Sequence, residues 1–212
     1  MNNSKNTFEH IDAWAKSEET FRQQLTLNLT ELSKARYPPH WLSFLNFIDM
    51  IEHYITTVVD IGCGCGSLYK MCQDQKLGLD YIGFDYSSPA INIATAQWGN
   101  HFFKKSYQQL ISTDIPPKSV VVANALADVL PNGDECVEHL LNVTPKCLIL
   151  LRIKITEKDS FFETYDAYNI TTYAFCHNWE NLRKMFNKYN YVYHIEAQQP
   201  DMYNILLEKN HS

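Results

Sequence analysis

The 212 residues fit one domain, because single hydrophobic cores stop growing near roughly 250–300 residues, and 45% apolar with 20% charged side chains is ordinary globular composition. The net charge of −6 and a pI near 5.7 argue against the clustered basic face that long nucleic acid requires. No basic start leads into an apolar leader and no run of about 18 apolar residues occurs, so a cytoplasmic chain without a membrane span is expected.

In chain order, residues 1–54 read as an N-terminal helical cap belonging to the same domain. Ser17 can cap a first helix in which Phe21, Leu25, Leu29 and Leu32 recur at three to four residues. Pro38-Pro39 breaks it, and Trp41, Leu45 and Ile48 mark a second helix ending near Tyr54. From residue 55 to 212 apolar runs alternate with helical segments, the pattern of a doubly wound α/β core. "TTVVDI" is a buried strand, followed by a helix with Leu68, Met71 and Cys72 inward. "LDYIGFD" is a second strand, and Ser88 with Pro89 starts the next helix, reaching Trp98.

"HFFKKSY" is a third and weaker strand, "KSVVVANA" a fourth, "GDECVEHLLNV" a helix, "KCLILLRI" a fifth strand and "NWENLRKMFNKY" the last helix. "YVYHIEAQ" and "MYNILLEK" are joined only by the turn at Pro200-Asp201. So short a link joins antiparallel neighbours, since a parallel crossover needs a dozen or more residues. The expected fold is a seven-stranded mixed sheet with helices on both faces, ending in an antiparallel hairpin.

The stretch "VVDIGCGCGSLYKMC" concentrates the chemistry. As a metal knuckle it fails: Cys63 and Cys65 are separated by one glycine, and there is no Cys-x-x-Cys pair. The six cysteines are expected as free thiols, and no metal is expected. As a dinucleotide loop it needs a third glycine at 67, where Ser67 stands, and Asp60 would repel a pyrophosphate. An aspartate in that place suits a cationic ligand group instead.

Asp60-x-Gly62-x-Gly64-x-Gly66 after an apolar strand resembles motif I of the class I S-adenosylmethionine (SAM)-dependent methyltransferases. The resemblance extends to Asp85 at the end of the second strand, to "VVVANALADVLPNG" and to the terminal hairpin. It implies SAM as cofactor, with Asp60, Gly62, Cys63, Gly64, Gly66, Asp85, Tyr86, Ser106, Tyr107 and Asn124 around it. Glycines let bare backbone approach a ligand. Asp85 can accept from both ribose hydroxyls or cap a helix. Asn124 can serve cofactor or turn. Where many members carry an acidic residue after the third strand for the adenine amino group, this chain has Ser106 and Tyr107.

The acceptor is narrowed by elimination. No Asn/Asp-Pro-Pro-aromatic follows the fourth strand, as it does in enzymes that methylate adenine or glutamine amino groups. No Pro-Cys nucleophile of the cytosine enzymes occurs either. What is left is methyl transfer to oxygen or nitrogen of a small metabolite or glycan precursor. A protein methyltransferase and a catalytically silent cofactor-binding subunit are the alternatives. His177 is a candidate base, since imidazole titrates near neutrality, or simply a helix-start histidine. Asp128 is a candidate base or substrate anchor, or a loop carboxylate. Arg152 and "YAFCHNW" can face the same crevice, and Trp14, Tyr37, His40 and Trp41 can form a lid or pack in the core.

Overall fold

The computed structural model describes residues 17–34 and 36–210. The expected core is present, with nine strands among the described residues in place of the seven expected. The first helix, α1 (Glu18–Leu32), is capped by Ser17, whose Oγ accepts from Thr20 N at 3.1 Å. Pro39 opens α2 (Pro39–Ile51), with a short 3-10 turn at Glu52–Tyr54.

The parallel part of the sheet is built from β1 (Thr57–Ile61), β2 (Asp80–Asp85), β3 (Phe102–Lys104), β4 (Ser119–Asn124) and the first half of β5 (Cys147–Thr156). Spatially these run β3-β2-β1-β4-β5. The helices between them are α3 (Ser67–Asp74), α4 (Ser88–Trp98) and α5 (Gly133–Val143). Ser87, one residue earlier than expected, caps α4 by accepting from Ala90 N.

The unbroken apolar runs follow from a sheet covered on both faces. Val59, Val121, Leu148 and Leu150 pack with α5 and the last helix, α6 (Trp179–Lys188). Their neighbours Val58, Val120, Val122, Cys147 and Ile149 pack with α2, α3 and α4 on the other face. Successive strand residues point to opposite faces, so each strand must be apolar throughout.

On the far edge of β5 lies the expected antiparallel pair, β8 (Tyr191–Gln199) and β9 (Met202–Lys209), with β9 hydrogen-bonded to β5. The two additional strands are β6 (Phe161–Ala167) and β7 (Ile170–Asn178). They form a hairpin whose two-residue turn, Tyr168-Asn169, has positive φ at both positions, 52° and 62°. That is the primed geometry matching strand twist, ordinarily announced by Asn-Gly or Asp-Gly. β5 outruns β4, and its last residues, Lys154–Thr156, pair in parallel with β7. The hairpin therefore stands above the carboxyl end of the sheet.

Candidate functional site

In an open parallel sheet the ligand crevice lies beyond the carboxyl ends of the strands. Here a cavity of about 360 Å³ opens at that end, within the roughly 300–1,000 Å³ typical of small-molecule sites. The loop after β1 turns sharply back to the end of β2. Gly62 N and Cys63 N both donate to Phe84 O, at 2.8 and 3.1 Å. Gly62 lines the cavity at a φ of +74°, and a Cβ there would come within 3.0 Å of the Leu126 side chain. Only a bare backbone fits this left-handed position.

Asp85 closes the loop. Its Oδ2 accepts from Gly64 N at 3.0 Å and its Oδ1 from Ser87 N at 2.8 Å, so both carboxylate oxygens are held in place with acceptor capacity left over. Burial raises its pKa to about 6, against the pull of those backbone N–H groups. Asp85, Gly62, Gly64, Tyr86 and Asn124 line the cavity.

Asp60, Cys63, Gly66, Ser106 and Tyr107 sit outside the lining. The buried Asp60 accepts from Tyr81 Oη at 2.6 Å through Oδ2, and burial, with the nearby Asp85 charge adding, lifts its pKa to about 7. Cys63 is buried against Gly83. Gly66 packs under Trp98 and Phe102, where a Cβ would come within 2.7 Å of the Phe102 ring. Ser106 N donates to Gln109 Oε1, capping the turn that buries Tyr107.

The Asp60 burial gives a stability prediction. The folded protein keeps the Asp60 proton up to about pH 7, whereas the unfolded chain releases it near 4. Folded protein thus binds more protons across that interval, and this contribution to stability falls as pH rises through it. Asp60→Asn keeps an acceptor for Tyr81 and removes the charge. Thermal denaturation at pH 8 is expected to show a higher Tm for the variant, by about 2–4 °C per kcal/mol recovered. An unchanged Tm would mean that Asp60 is ionised without penalty.

The lining also carries Asp128, Arg152 and Lys154 together with Leu126, Val129 and Leu130. Asp128 lies in the turn Ala127–Val129, is only 9% exposed, and its Oδ1 has no hydrogen-bond partner among the described residues. Burial raises its pKa to about 6, with Arg152 and then His177 pulling it back. His177 does not line the cavity. It is fully buried on β7, its Nδ1 bonded to Asp134 Oδ1 at 2.7 Å and its Nε2 without a partner among the described residues.

The roof comes from elements far apart in the chain. Phe21 and Gln24 of α1 and Tyr165, Tyr168 and Tyr173 of the β6–β7 hairpin line it, and Thr20 Oγ1 donates to Tyr168 O at 3.2 Å where the two meet. Of the aromatic lid candidates, Trp41 is buried in the core and Tyr37 Oη accepts from Gln75 Nε2. His40 is buried beside Arg152, its pKa depressed to about 3, first by burial. Trp14 lies outside the described residues. The hairpin segment "FFETYDAYNITTYAFCHN" is rich in the aromatic and β-branched residues that strands favour, but has no turn glycine.

The fold recurs in solved structures. Human N-acetylserotonin methyltransferase in complex with SAM superposes with a TM-score of 0.67 over 96% of this chain and 59% of its own, at 13% identity. The fold is that of the class I SAM-dependent methyltransferases. Magnesium protoporphyrin IX methyltransferase from Synechocystis PCC 6803 with bound SAM matches with a TM-score of 0.58 over 92% of this chain and 99% of its own, at 15% identity. DesVI of Streptomyces venezuelae matches with 0.61 over the same shares, at 9% identity. No family profile and no curated protein sequence matches the chain. Among the described residues, no three His, Cys, Asp or Glu side chains gather as a metal site, and no helix is long and apolar enough to cross a membrane.

Proposed function

We propose that the chain binds SAM along Gly62, Gly64, Asp85, Tyr86 and Asn124 and transfers its methyl group to oxygen or nitrogen of a small metabolite or glycan precursor held beside Asp128. One observation carries the reading: a single roofed cavity joins the glycine–Asp85 side to a second, chemically different side. The cofactor supplies a methyl group activated by sulfonium charge. Asp85 accepts from the two ribose hydroxyls. Asp60, behind the glycine turn, contributes a negative potential that favours a cationic ligand only as pH rises through about 7, where it ionises. Cys63, Gly66, Ser106 and Tyr107 hold the loops from outside the cavity.

The chain's contribution to the reaction is orientation and exclusion of water. Holding two reactants in line is able to supply roughly 7–11 kcal/mol of the barrier, and the contact between α1 and the hairpin encloses the site. That enclosure favours a small acceptor over a protein one. His177 and Asp134 support the Asp128 turn from behind. Asp128 is the group placed to take a proton from the acceptor.

S-adenosylhomocysteine is expected to raise the Tm and NAD to leave it unchanged, because a ligand bound only by the native state stabilises it by RT ln(1 + [L]/Kd). A response to NAD and none to S-adenosylhomocysteine overturns the reading. Labelled SAM incubated with metabolite pools then separates an enzyme, which yields labelled product, from a silent cofactor-binding subunit.

A further inference from the structure

The cavity holds two half-buried cations that no carboxylate among the described residues neutralises directly. Arg152 and Lys154 both line it, and among the described residues neither forms an ion pair within 4.0 Å. Asp128 attracts both but stops short of an ion pair. Two further titratable groups feel the Arg152 charge, the buried His40, which is neutral there, and Tyr165. A half-buried cation keeps only part of its hydration, and a guanidinium forks naturally onto a carboxylate or phosphate.

The backbone at Arg152 is built for this placement. The register of β5 against β9 shifts between Leu150 and Ile153, and Arg152 at this bulge has a φ of +62°. A left-handed non-glycine residue is strained, and bulges re-aim side chains beside functional sites. The strain is held from two sides. Arg152 N donates to Asn204 Oδ1 at 2.9 Å, and Arg152 Nε donates to Asn124 Oδ1 at 3.0 Å. Asn204 is fully buried and anchored in turn, its Nδ2 donating to Ser43 Oγ at 2.9 Å. Thus Nε is spent on a neutral amide that fixes the guanidinium, while the two Nη groups have no hydrogen-bond partner among the described residues.

Resting on the methyl-transfer reading, we propose that Arg152 and Lys154 form an anion subsite for the carboxylate or phosphate of the methyl acceptor. The acceptor's apolar or aromatic body lies against Leu126, Leu130, Tyr165, Tyr173 and Met202. The cavity is thereby divided by charge. Asp85 and the glycine turn take the cofactor, and the two cations take an acid. The anionic group docks on Arg152 and turns the acceptor's nucleophilic atom toward Asp128 and the cofactor side.

The test titrates benzoate, phenyl phosphate and the neutral benzamide into the protein, with and without saturating S-adenosylhomocysteine, by calorimetry. The expected result is that one anion binds the saturated protein and benzamide does not. The preferred anion identifies carboxylate or phosphate as the recognised group. Arg152→Gln, which keeps a donor for Asn124, is expected to lower that affinity roughly 10- to 100-fold with S-adenosylhomocysteine affinity unchanged. Lys154→Gln, at a position of ordinary backbone, is expected to act in the same direction and serves if the Arg152 variant does not fold. No preference for the anions over benzamide, or anion affinity unaltered in both variants, overturns the proposal. So does anion binding that S-adenosylhomocysteine displaces, which assigns the cations to the cofactor's own carboxylate. Failure of S-adenosylhomocysteine to bind counts against the methyl-transfer reading alone, and the anion titration of the free protein still reads the subsite.

Discussion

Asp85→Ala is expected to weaken S-adenosylhomocysteine binding by at least about 100-fold in calorimetry, the loss growing toward 10⁴-fold if both ribose bonds are broken. A hydrogen bond to a charged acceptor contributes roughly 1.5–3 kcal/mol, and Asp85 has one such bond to offer from each oxygen. Part of the loss is indirect, since the same oxygens hold Gly64 N and Ser87 N and the variant frees both. Asp85→Asn separates the two parts. It retains one acceptor for the loop but presents an N–H₂ where the second acceptor stood, so the glycine turn is partly kept while one ribose bond is lost.

The pH dependence follows from the same carboxylate. With its pKa raised to about 6 in the free protein, Asp85 is ionised above that value and protonated below it. Ligand hydroxyls donate to the ionised form, so affinity is expected to fall as pH drops through about 6 and to level off above 7. The Asp85→Asn variant should lose that dependence. Wild-type affinity that is flat between pH 5 and 8, together with unaltered affinity in Asp85→Ala, would leave Asp85 as a loop anchor and nothing more.

Asp128→Asn is expected to lower turnover on an identified acceptor roughly 10²–10⁴-fold, the range of a lost general base, with S-adenosylhomocysteine affinity little changed. The carboxylate lines the cavity, has an oxygen without a partner among the described residues, and carries a pKa near the pH at which proton transfer is useful. The acidic limb of the pH–rate profile, near 6, should disappear with it. His177→Ala is expected to differ in kind. Removing a fully buried ring and its hydrogen bond to Asp134 should cost several kcal/mol of stability, read as a lower midpoint in urea. Its effect on rate should be smaller than that of Asp128→Asn. A rate loss in His177→Ala equal to that of Asp128→Asn, with stability intact, would instead give the histidine a direct part in the proton's path.

Much of the architecture is legible in the chain because it rests on short-range rules. β1, β4 and β5 read as buried strands since a sheet covered on both faces needs apolar residues at every position. The helix ends follow from Ser17, Pro39 and Asn178, whose capping or φ restriction acts within one turn. The glycine stretch is recognisable because the 62-64-66 spacing, with Asp60 before it, is a local requirement of one sharp turn. Asp85 is legible for a related reason: it ends the strand beside that turn.

The acceptor side followed no such rule. Phe21, Asp128, Arg152, Tyr165 and Met202 come from five separate parts of the chain, and nothing in their spacing brings them together. The β6–β7 hairpin turns through Tyr168-Asn169, where two residues with side chains adopt the left-handed conformation that glycine usually marks. The bulge that aims Arg152 exists only as a register shift against a strand some fifty residues later. The chain by itself determined the sheet, its helices and the glycine turn, because propensity, periodicity and capping act over a few residues. Tertiary structure alone decided that Asp128 lines the cavity while His177 does not, and that Arg152 and Lys154 stand without an ion-pair partner among the described residues, because burial and charge pairing depend on which distant segments are packed alongside.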